Sequence, residues 1–329
     1  MSIAAGTVLV TGAAGLVGTH TCRALAAKGW RVRALVRDRA KADARLAGIP
    51  LEIVTGDLRN AEVAAGALSG CDAVVHLAAI AIERGGQTYE EVNTGAAVAL
   101  VAAARAAGVK RFVQLSQNGA SSASAHRFLR SKGLAEDAVR ASDLTWTVLR
   151  PSVIFGPEDE FVNVLARLVR LSPVIYPLPG GGIARFQPVA VSDVAASVAA
   201  CLERDGTIGQ AYALGGPAPL SLREITEIVL RAMGARRILV SVPVSVLQPI
   251  VAMAETLLPN PPVTTGLLAL LANDNVTPEN AMQAVFGIEP TAFAAEALGY
   301  LRAITAGDAV RSIFKFRSPN CSTPLPPPP

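Results

Sequence analysis

The stretch that decides the fold is VLVTGAAGLVG, residues 8–18. An apolar run leads into glycines at positions 12, 15 and 18, and a helix-like pattern follows. In such a turn, the first glycine permits the tight bend, the second lets the backbone approach a pyrophosphate, and the third allows helix and strand to pack closely. The free N–H groups of the helix N-terminus can then bind phosphate. We predict a dinucleotide site here; the alternative is three ordinary loop glycines in an alanine- and glycine-rich chain.

Short apolar runs alternate with helical patterns over the first 150 residues. The runs are apolar on both faces, as strands buried in a parallel sheet are, and they cover residues 8–10, 31–36, 51–54, 73–77, 111–115 and 145–149. Helical patterns between them cover residues 16–28, 61–68, 90–107 and 127–141. This alternation predicts an α/β fold with a doubly wound parallel (Rossmann) sheet, built from right-handed crossovers.

After residue 150 the rhythm changes, because proline and glycine become frequent. We predict a dinucleotide-binding Rossmann domain over residues 1–150, to which residues 187–215 return. Residues 151–186 and 216–310 are predicted to form a smaller, mostly helical C-terminal lobe. The chain ends in four prolines, so residues 311–329 are predicted to be an extended or disordered tail.

Composition excludes several classes of protein. The 329 residues are 51% hydrophobic and 17% charged, which is too apolar for a disordered chain. The longest charge-free apolar runs are broken by prolines, and a membrane-spanning helix needs about 20 apolar residues. A net charge of +4 is spread along the chain, so we predict no nucleic-acid partner. The three histidines lack metal-ligand spacing, so we predict no metal.

Other sequence features bear on the compartment. The four cysteines are far apart and form no C-x-x-C pair, which is typical of a reduced, cytoplasmic protein. The first predicted strand begins near Thr7, and we expect no signal or transit peptide before it. The chain is therefore predicted to remain in the compartment where it is made.

Polar residues after the second and third strands bear on which dinucleotide is bound. Arg37 directly follows the second apolar run, with Asp38 one position later. An arginine here suits the 2′-phosphate of NADP, whereas an acidic residue favours the ribose hydroxyl of NAD. We predict NADP(H), bound through Arg37, with a solvated Arg–Asp pair as the alternative. Asp57 is expected near the adenine amino group or, alternatively, as the cap of the next helix.

Motifs over residues 7–215 resemble the extended and atypical short-chain dehydrogenase/reductase superfamily. They are TGAAGLVG at 11–18, GDL at 56–58, HLAA at 76–79, VNTG at 92–95, LSQ at 115–117 and LRPSVIFGP at 149–157. The resemblance implies that NADPH is held by a set of residues near these motifs. The set is Gly12, Ala14, Gly15, Leu16, Val17, Gly18, Arg37, Asp57, Leu58, Leu77, Ala78, Ala79, Asn93, Ser116, Lys132, Pro151 and Val153.

The catalytic pattern of that superfamily is incomplete here. Its members use a Tyr-x-x-x-Lys pair, in which the tyrosine hydroxyl transfers a proton, together with a preceding Ser or Thr. In this chain the lysine is Lys132, but the tyrosine position is Phe128, which has no proton to transfer, and the hydroxyl position falls at about Gln117 or Asn118. We therefore predict no intact catalytic set and a fold kept for nucleotide binding. The alternative is that His126 or a bound water supplies the proton.

A narrower resemblance extends to about residue 303. The branch that contains the NADPH-binding accessory subunit of respiratory complex I is similar over residues 151–163, 186–189, 193–195, 274–276 and 287–291. That resemblance implies a non-catalytic subunit of a bacterial complex I, docked near the membrane. Two alternatives remain open: a free-standing NADPH-dependent reductase or epimerase with a different proton donor, and an NADPH-sensing regulatory protein.

Two C-terminal segments are candidates for docking. Residues 238–273 are nearly all apolar, and residues 311–317 alternate basic and apolar side chains. Such surfaces contact membranes or partners, so we predict contact between these segments and the membrane surface or complex I subunits. This corresponds to a peripheral position on the cytoplasmic face of the inner membrane. The alternatives are a closed small core and a solvated tail.

Overall fold

The structure, a computed structural model, describes residues 6–83 and 85–314. The strands are β1 Thr7–Thr11, β2 Arg31–Val36, β3 Leu51–Thr55, β4 Ala73–His76, β5 Arg111–Leu115, β6 Thr145–Pro151, β7 Ile154–Phe155, β8 Ile175–Pro179, β9 Arg185–Phe186, β10 Val189–Ala190, β11 Gln210–Leu214, β12 Leu220–Ser221 and β13 Ile238–Val242. The α-helices are α1 Leu16–Ala27, α2 Arg39–Arg45, α3 Ala61–Leu68, α4 Ala96–Ala106, α5 Arg127–Arg140, α6 Val162–Leu171, α7 Val191–Glu203, α8 Leu222–Ala232, α9 Val244–Leu257, α10 Thr265–Leu271, α11 Ala281–Ala284 and α12 Ala306–Phe314.

Seven parallel strands form the central sheet, in the order β11-β6-β5-β4-β1-β2-β3. The predicted Rossmann fold is confirmed, and each of the six predicted strands is present. The chain runs outward from β1 through β2 to β3 and then returns to β4 on the other side of β1. That reversal is the switch point at which ligands bind in open α/β sheets, outside the carboxyl ends of the strands.

Helices cover both faces of the sheet, and this explains the apolar runs. On one face α1 and α7 pack against the sheet through buried residues such as Leu25 and Val198. On the other face α3, α4 and α5 contribute Leu68, Leu100 and Val139. Each central strand therefore buries both sets of its alternating side chains.

A second hydrophobic core lies among the helices and short strands that follow β6. Its buried residues include Phe155, Leu165, Ile225 and Leu298, contributed by β7, α6, α8 and the segment before α12. This core is the basis of the smaller, mostly helical lobe. The domain boundaries given above remain a prediction.

Three segments differ from the sequence-based expectations. Residues 90–107 are not one regular helix, because a π-helical stretch, Glu90–Gly95, precedes α4. Strand β13, which pairs in parallel with β8, lies within the region predicted to be mostly helical. The predicted tail was wrong at its start, because α12 continues through residues 311–314; residues 315–329 lie outside the described part of the chain.

Helix α9 is unusual because none of its 14 residues is buried. Its exposed apolar side chains include Val246, Ile250, Met253 and Leu257. Across the described ranges 6–83 and 85–314, no helix combines the length and the apolar character that crossing a bilayer requires.

Candidate functional site

A cleft of about 1710 Å³ lies at the carboxyl ends of the sheet strands. Residues that directly follow β1, β2, β4, β5 and β6 line one side of it, including Gly12, Arg37, Leu77 and Ser116. Residues of the C-terminal lobe line the other side, among them Phe161 and Leu270. The cleft therefore occupies the switch point of the sheet, between the two hydrophobic cores.

The backbone of the glycine-rich turn lies so close to neighbouring backbone that two of its glycines have no room for a side chain. Gly12 has a φ of +69°, and a Cβ atom there would lie 2.8 Å from the backbone nitrogen of Ala78. A Cβ atom on Gly18 would lie 2.2 Å from the carbonyl oxygen of Gly12. Gly15 is the N-cap of α1 and provides no side-chain cap to its first N–H groups. The turn thus offers free backbone donors to a phosphate, as a dinucleotide requires.

Charged side chains line the cleft beyond the carboxyl end of β2. Arg37 is exposed after β2, whereas the Asp38 carboxylate accepts a hydrogen bond from the backbone N–H of Lys41 at 2.9 Å and caps α2. The Asp38 carboxylate is therefore engaged as a helix cap, although Arg37 and Asp38 both line the cleft. Lys41 also lines this end of the cleft.

Asp57 does not cap the next helix. Its carboxylate accepts hydrogen bonds from the backbone N–H of Arg59 at 2.9 Å and from the Arg59 guanidinium at 2.8 Å. Hydrogen bonds from Arg59 lower the pKa of Asp57 to about 2. The cap of α3 is Asn60, so the alternative role considered for Asp57 was wrong. Asp57 lies in the cleft lining, and its cofactor role stays a prediction.

An ion pair joins the two lobes beside the glycine-rich turn. Arg45, at the end of α2, pairs with Glu158 in the loop between β7 and α6. The Arg45 guanidinium also donates to the carbonyl oxygen of Ala14 at 3.0 Å. Glu158 has a φ of +70°, a left-handed conformation that is costly for a residue with a side chain.

Lys132 lies at the other end of the dinucleotide side. Its side chain is buried, and Nζ donates to the carbonyl oxygen of Leu115 at 2.8 Å. Burial lowers the pKa of Lys132 to about 8, although Glu136 opposes the shift. The adjacent Ser116 Oγ is buried in the cleft lining, and it has no hydrogen-bond partner among the described residues. A buried hydroxyl of this kind is suited to a ligand atom.

The cleft lining includes Phe128, at the predicted tyrosine position, and both Gln117 and Asn118, at about the predicted hydroxyl position. The Phe128 ring lines the cleft and packs against Tyr89, with ring centroids 5.7 Å apart. Tyr89 does not replace the missing hydroxyl, because its own hydroxyl donates to the Ala81 carbonyl at 2.8 Å. The Asn118 side chain donates to Asn275 Oδ1 at 2.8 Å. His126 also lines the cleft.

The cleft brings together most of the residues predicted at the cofactor. Those in its lining are Gly12, Gly15, Leu16, Val17, Gly18, Arg37, Asp57, Leu77, Ala79, Ser116, Lys132, Pro151 and Val153. Ala14, Leu58, Ala78 and Asn93 are not part of this lining. Asn93 is buried in the π-helical stretch, where its amide pairs with the backbone of Ile80 and donates to Ser131 Oγ at 3.0 Å. It positions the loop after β4.

Several lining residues were not found from sequence. The cleft also includes Arg45 and Glu158, which pair with each other, and Asn275, which bonds to Asn118. Both contacts join parts of the chain that are far apart in sequence. The sequence predicts the α10 segment only as part of a generally apolar region. Within residues 6–83 and 85–314, no group of three or more His, Cys, Asp or Glu side chains is arranged to hold a metal ion.

Comparisons with known proteins agree with this geometry. A family model described as NAD(P)H-binding matches residues 12–205. The ceramide reductase of Caulobacter vibrioides is 37% identical over 197 residues, which cover 60% of this chain and 61% of that protein. Subunit 9 of the NADH dehydrogenase [ubiquinone] 1 alpha subcomplex of Arabidopsis thaliana is 33% identical over 231 residues, 67% of this chain and 56% of that protein. The match thus spans less than two thirds of either relative.

The fold also matches solved structures. The crystal structure of gox2253 superposes with a TM-score of 0.71 at 26% sequence identity. The match covers 93% of this chain and 97% of that one. The similarity therefore includes the C-terminal lobe as well as the central sheet.

Proposed function

The chain belongs to the NAD(P)H-binding family, within the atypical short-chain dehydrogenase/reductase superfamily, and from that premise we propose that it is an NADP(H)-binding, non-catalytic accessory subunit of a bacterial respiratory complex I. The free α1 N-terminus receives the pyrophosphate. Arg37, exposed at the cleft mouth beside Lys41, binds the 2′-phosphate. Lys132 and Ser116 hold the nicotinamide ribose.

One observation carries the non-catalytic part of the proposal. The glycine-rich turn is intact, but Phe128 offers no proton and Asn118 is tied to Asn275. The groups that would polarise and protonate a substrate oxygen are thus absent or engaged by the fold. The dinucleotide then serves to hold the two lobes together, because residues of both line its cleft.

The complex I role is supported by the similarity to the plant subunit and by the surface of α9. That helix presents Val246, Ile250, Met253 and Leu257 on the outside of the protein. An exposed apolar helix face of this kind is typical of surfaces that meet a partner or a bilayer. We place the protein on the cytoplasmic face of the inner membrane, with α9 toward the membrane.

The test is recovery from membranes. The tagged full chain is isolated from gently solubilised membranes of its own cells, and we expect it to co-migrate with complex I subunits and to carry NADP(H). Met253→Glu with Leu257→Glu is expected to release it, whereas the exposed control Val98→Glu on α4 is not. A lone species that co-migrates with no complex I subunit contradicts the proposal.

A second candidate, a free-standing NADPH-dependent reductase, is favoured by the environment of Lys132. Burial brings the pKa of this ammonium close to neutral pH, which suits proton transfer, and Ser116 Oγ is available in the same cleft. Bound NADPH supplies the hydride in such a reaction. Turnover of a carbonyl substrate at about 10 per second, an ordinary enzyme rate, would support this candidate over the first.

A further inference from the structure

The cleft is larger than one ligand requires. Ligand pockets are commonly about 300–1,000 Å³, and this cleft is about 1710 Å³. The glycine-rich turn, Arg37 and Lys132 mark the dinucleotide side. The far half is the part lined by residues after Val153, together with Ile80, Ile82, Phe128 and Leu129. This half is not explained by nucleotide binding.

The lysines and arginines of the lining are Arg37, Lys41, Arg45, Arg59 and Lys132, on the dinucleotide side. The one histidine, His126, is the N-cap of α5 and lies near Phe128 in sequence. Among the described lining residues from Val153 to Asn275 there is no lysine, arginine or histidine. Lysine and arginine are the side chains that bind phosphate groups most strongly, so this half lacks the side chains suited to a second phosphorylated molecule such as a nucleotide sugar.

The carboxylates of the far half are engaged by the protein. Asp159 is buried and accepts hydrogen bonds from backbone N–H groups, including that of Phe161 at 2.7 Å. Asp274 pairs with Arg185 at 3.1 Å. Glu158 pairs with Arg45, and Glu160 also has an interaction partner. The ligand of this half therefore does not need a positive charge.

The walls of the far half are apolar. Leu267, Leu270 and Leu271 project from one face of α10, at positions i, i+3 and i+4. Phe161 and Phe186 form an aromatic pair with ring centroids 5.5 Å apart. Such walls stabilise hydrocarbon by removing it from water.

We propose that the far half of the cleft binds an uncharged, elongated lipid, with its hydrocarbon part between α10 and the Phe161–Phe186 pair. The proposal rests on the proposed function in that the near half holds NADP(H). A lipid with an alkyl chain and a lipid with fused rings both present the uncharged hydrocarbon surface that these walls can bury. The experiment distinguishes the two.

The experiment measures binding to the purified full chain at saturating NADPH. Tritiated hexadecan-1-ol and tritiated cholesterol, each delivered from cyclodextrin, are compared with UDP-glucose. We expect one lipid per chain and no UDP-glucose. Leu267→Trp and Leu270→Trp each fill the far half and are expected to weaken lipid binding at least tenfold, whereas the control Val98→Trp leaves it unchanged.

NADPH affinity is also measured for every variant. This measurement distinguishes failure of the lipid inference from failure of the proposed function. Unchanged NADPH affinity shows that the tryptophan variants are folded. Binding of UDP-glucose alone, or lipid binding that neither variant weakens, overturns the inference. Lipid binding that follows the expected pattern in a protein with no affinity for NADPH sustains it and instead refutes the proposed function.

Discussion

The side chain of Asn118 is bonded to that of Asn275, with Nδ2 donating to Oδ1 at 2.8 Å, although 157 positions separate the two residues. Nδ2 also donates to the carbonyl oxygen of Val276 at 2.9 Å. Asn118 is one of the two residues predicted at about the position of the superfamily's substrate-polarising hydroxyl, and here it holds residues 274–276 against the loop after β5. Asn118 thus contributes a contact between distant segments, and it does not supply a hydroxyl that could polarise a substrate.

Replacing Asn118 is therefore expected to lower stability. Asn118→Ser is too short to reach both acceptors, and losing two hydrogen bonds costs about 1–3 kcal/mol of the free energy of unfolding, measured by urea denaturation. Asn118→Asp keeps the size but sets a carboxylate against oxygen acceptors, so we expect a larger loss. A serine variant of unchanged stability that gains turnover would contradict the structural role.

The glycine-rich turn gives a second prediction. Gly18→Ala places a Cβ atom 2.2 Å from the carbonyl oxygen of Gly12, so the turn must open. We expect NADPH affinity to fall below detection in a fluorescence titration. Gly66→Ala is the matched control, because a Cβ atom on this glycine of α3 meets no atom within 4 Å. It should stabilise the protein by about 0.5–1 kcal/mol and leave binding intact.

Arg37 is expected to set the preference for NADP(H). A hydrogen bond to a charged group contributes about 1.5–3 kcal/mol. Arg37→Ala should therefore weaken NADPH binding about tenfold to a hundredfold, while NADH binding changes little. Arg39→Ala serves as the control, because Arg39 pairs with Asp43 at 2.8 Å on the outer side of α2. Equal losses for both dinucleotides would rule out this role of Arg37.

The burial of Lys132 predicts a pH dependence of stability. Its pKa is about 8 in the folded protein, below the ordinary value of 10.5. Between these values the unfolded chain holds a proton that the folded chain has lost, so the free energy of unfolding rises with pH. The total change is about 3 kcal/mol. Urea denaturation from about pH 7 to about pH 11 should show this rise, and Lys132→Met should lack it.

The sheet was predictable because its strands carry an obvious signal. Val8, Leu9 and Val10 are all fully buried. An uninterrupted apolar run of this kind indicates a strand that is covered on both faces. Helix α2 was missed for the opposite reason. Its sequence, RAKADAR, buries only Ala42, and a helix with so narrow an apolar face gives no periodic pattern.

The site was predictable only where its residues lie in local motifs. The glycine-rich turn and Lys132 belong to short segments whose chemistry can be read directly. The Asn118–Asn275 bond and the π-helical stretch depend on partners far along the chain or in a neighbouring loop. Asn93 pairs with Ile80 across 13 residues, and no local periodicity encodes that distance.

The Arg45–Glu158 pair has a consequence for how the protein responds to salt. It joins α2 to the loop between β7 and α6, next to the glycine-rich turn. Both side chains are partly exposed to solvent, and an ion pair of this kind contributes about 0–1 kcal/mol and weakens as ionic strength rises. We therefore expect the contact between the two lobes at this point to loosen at high salt.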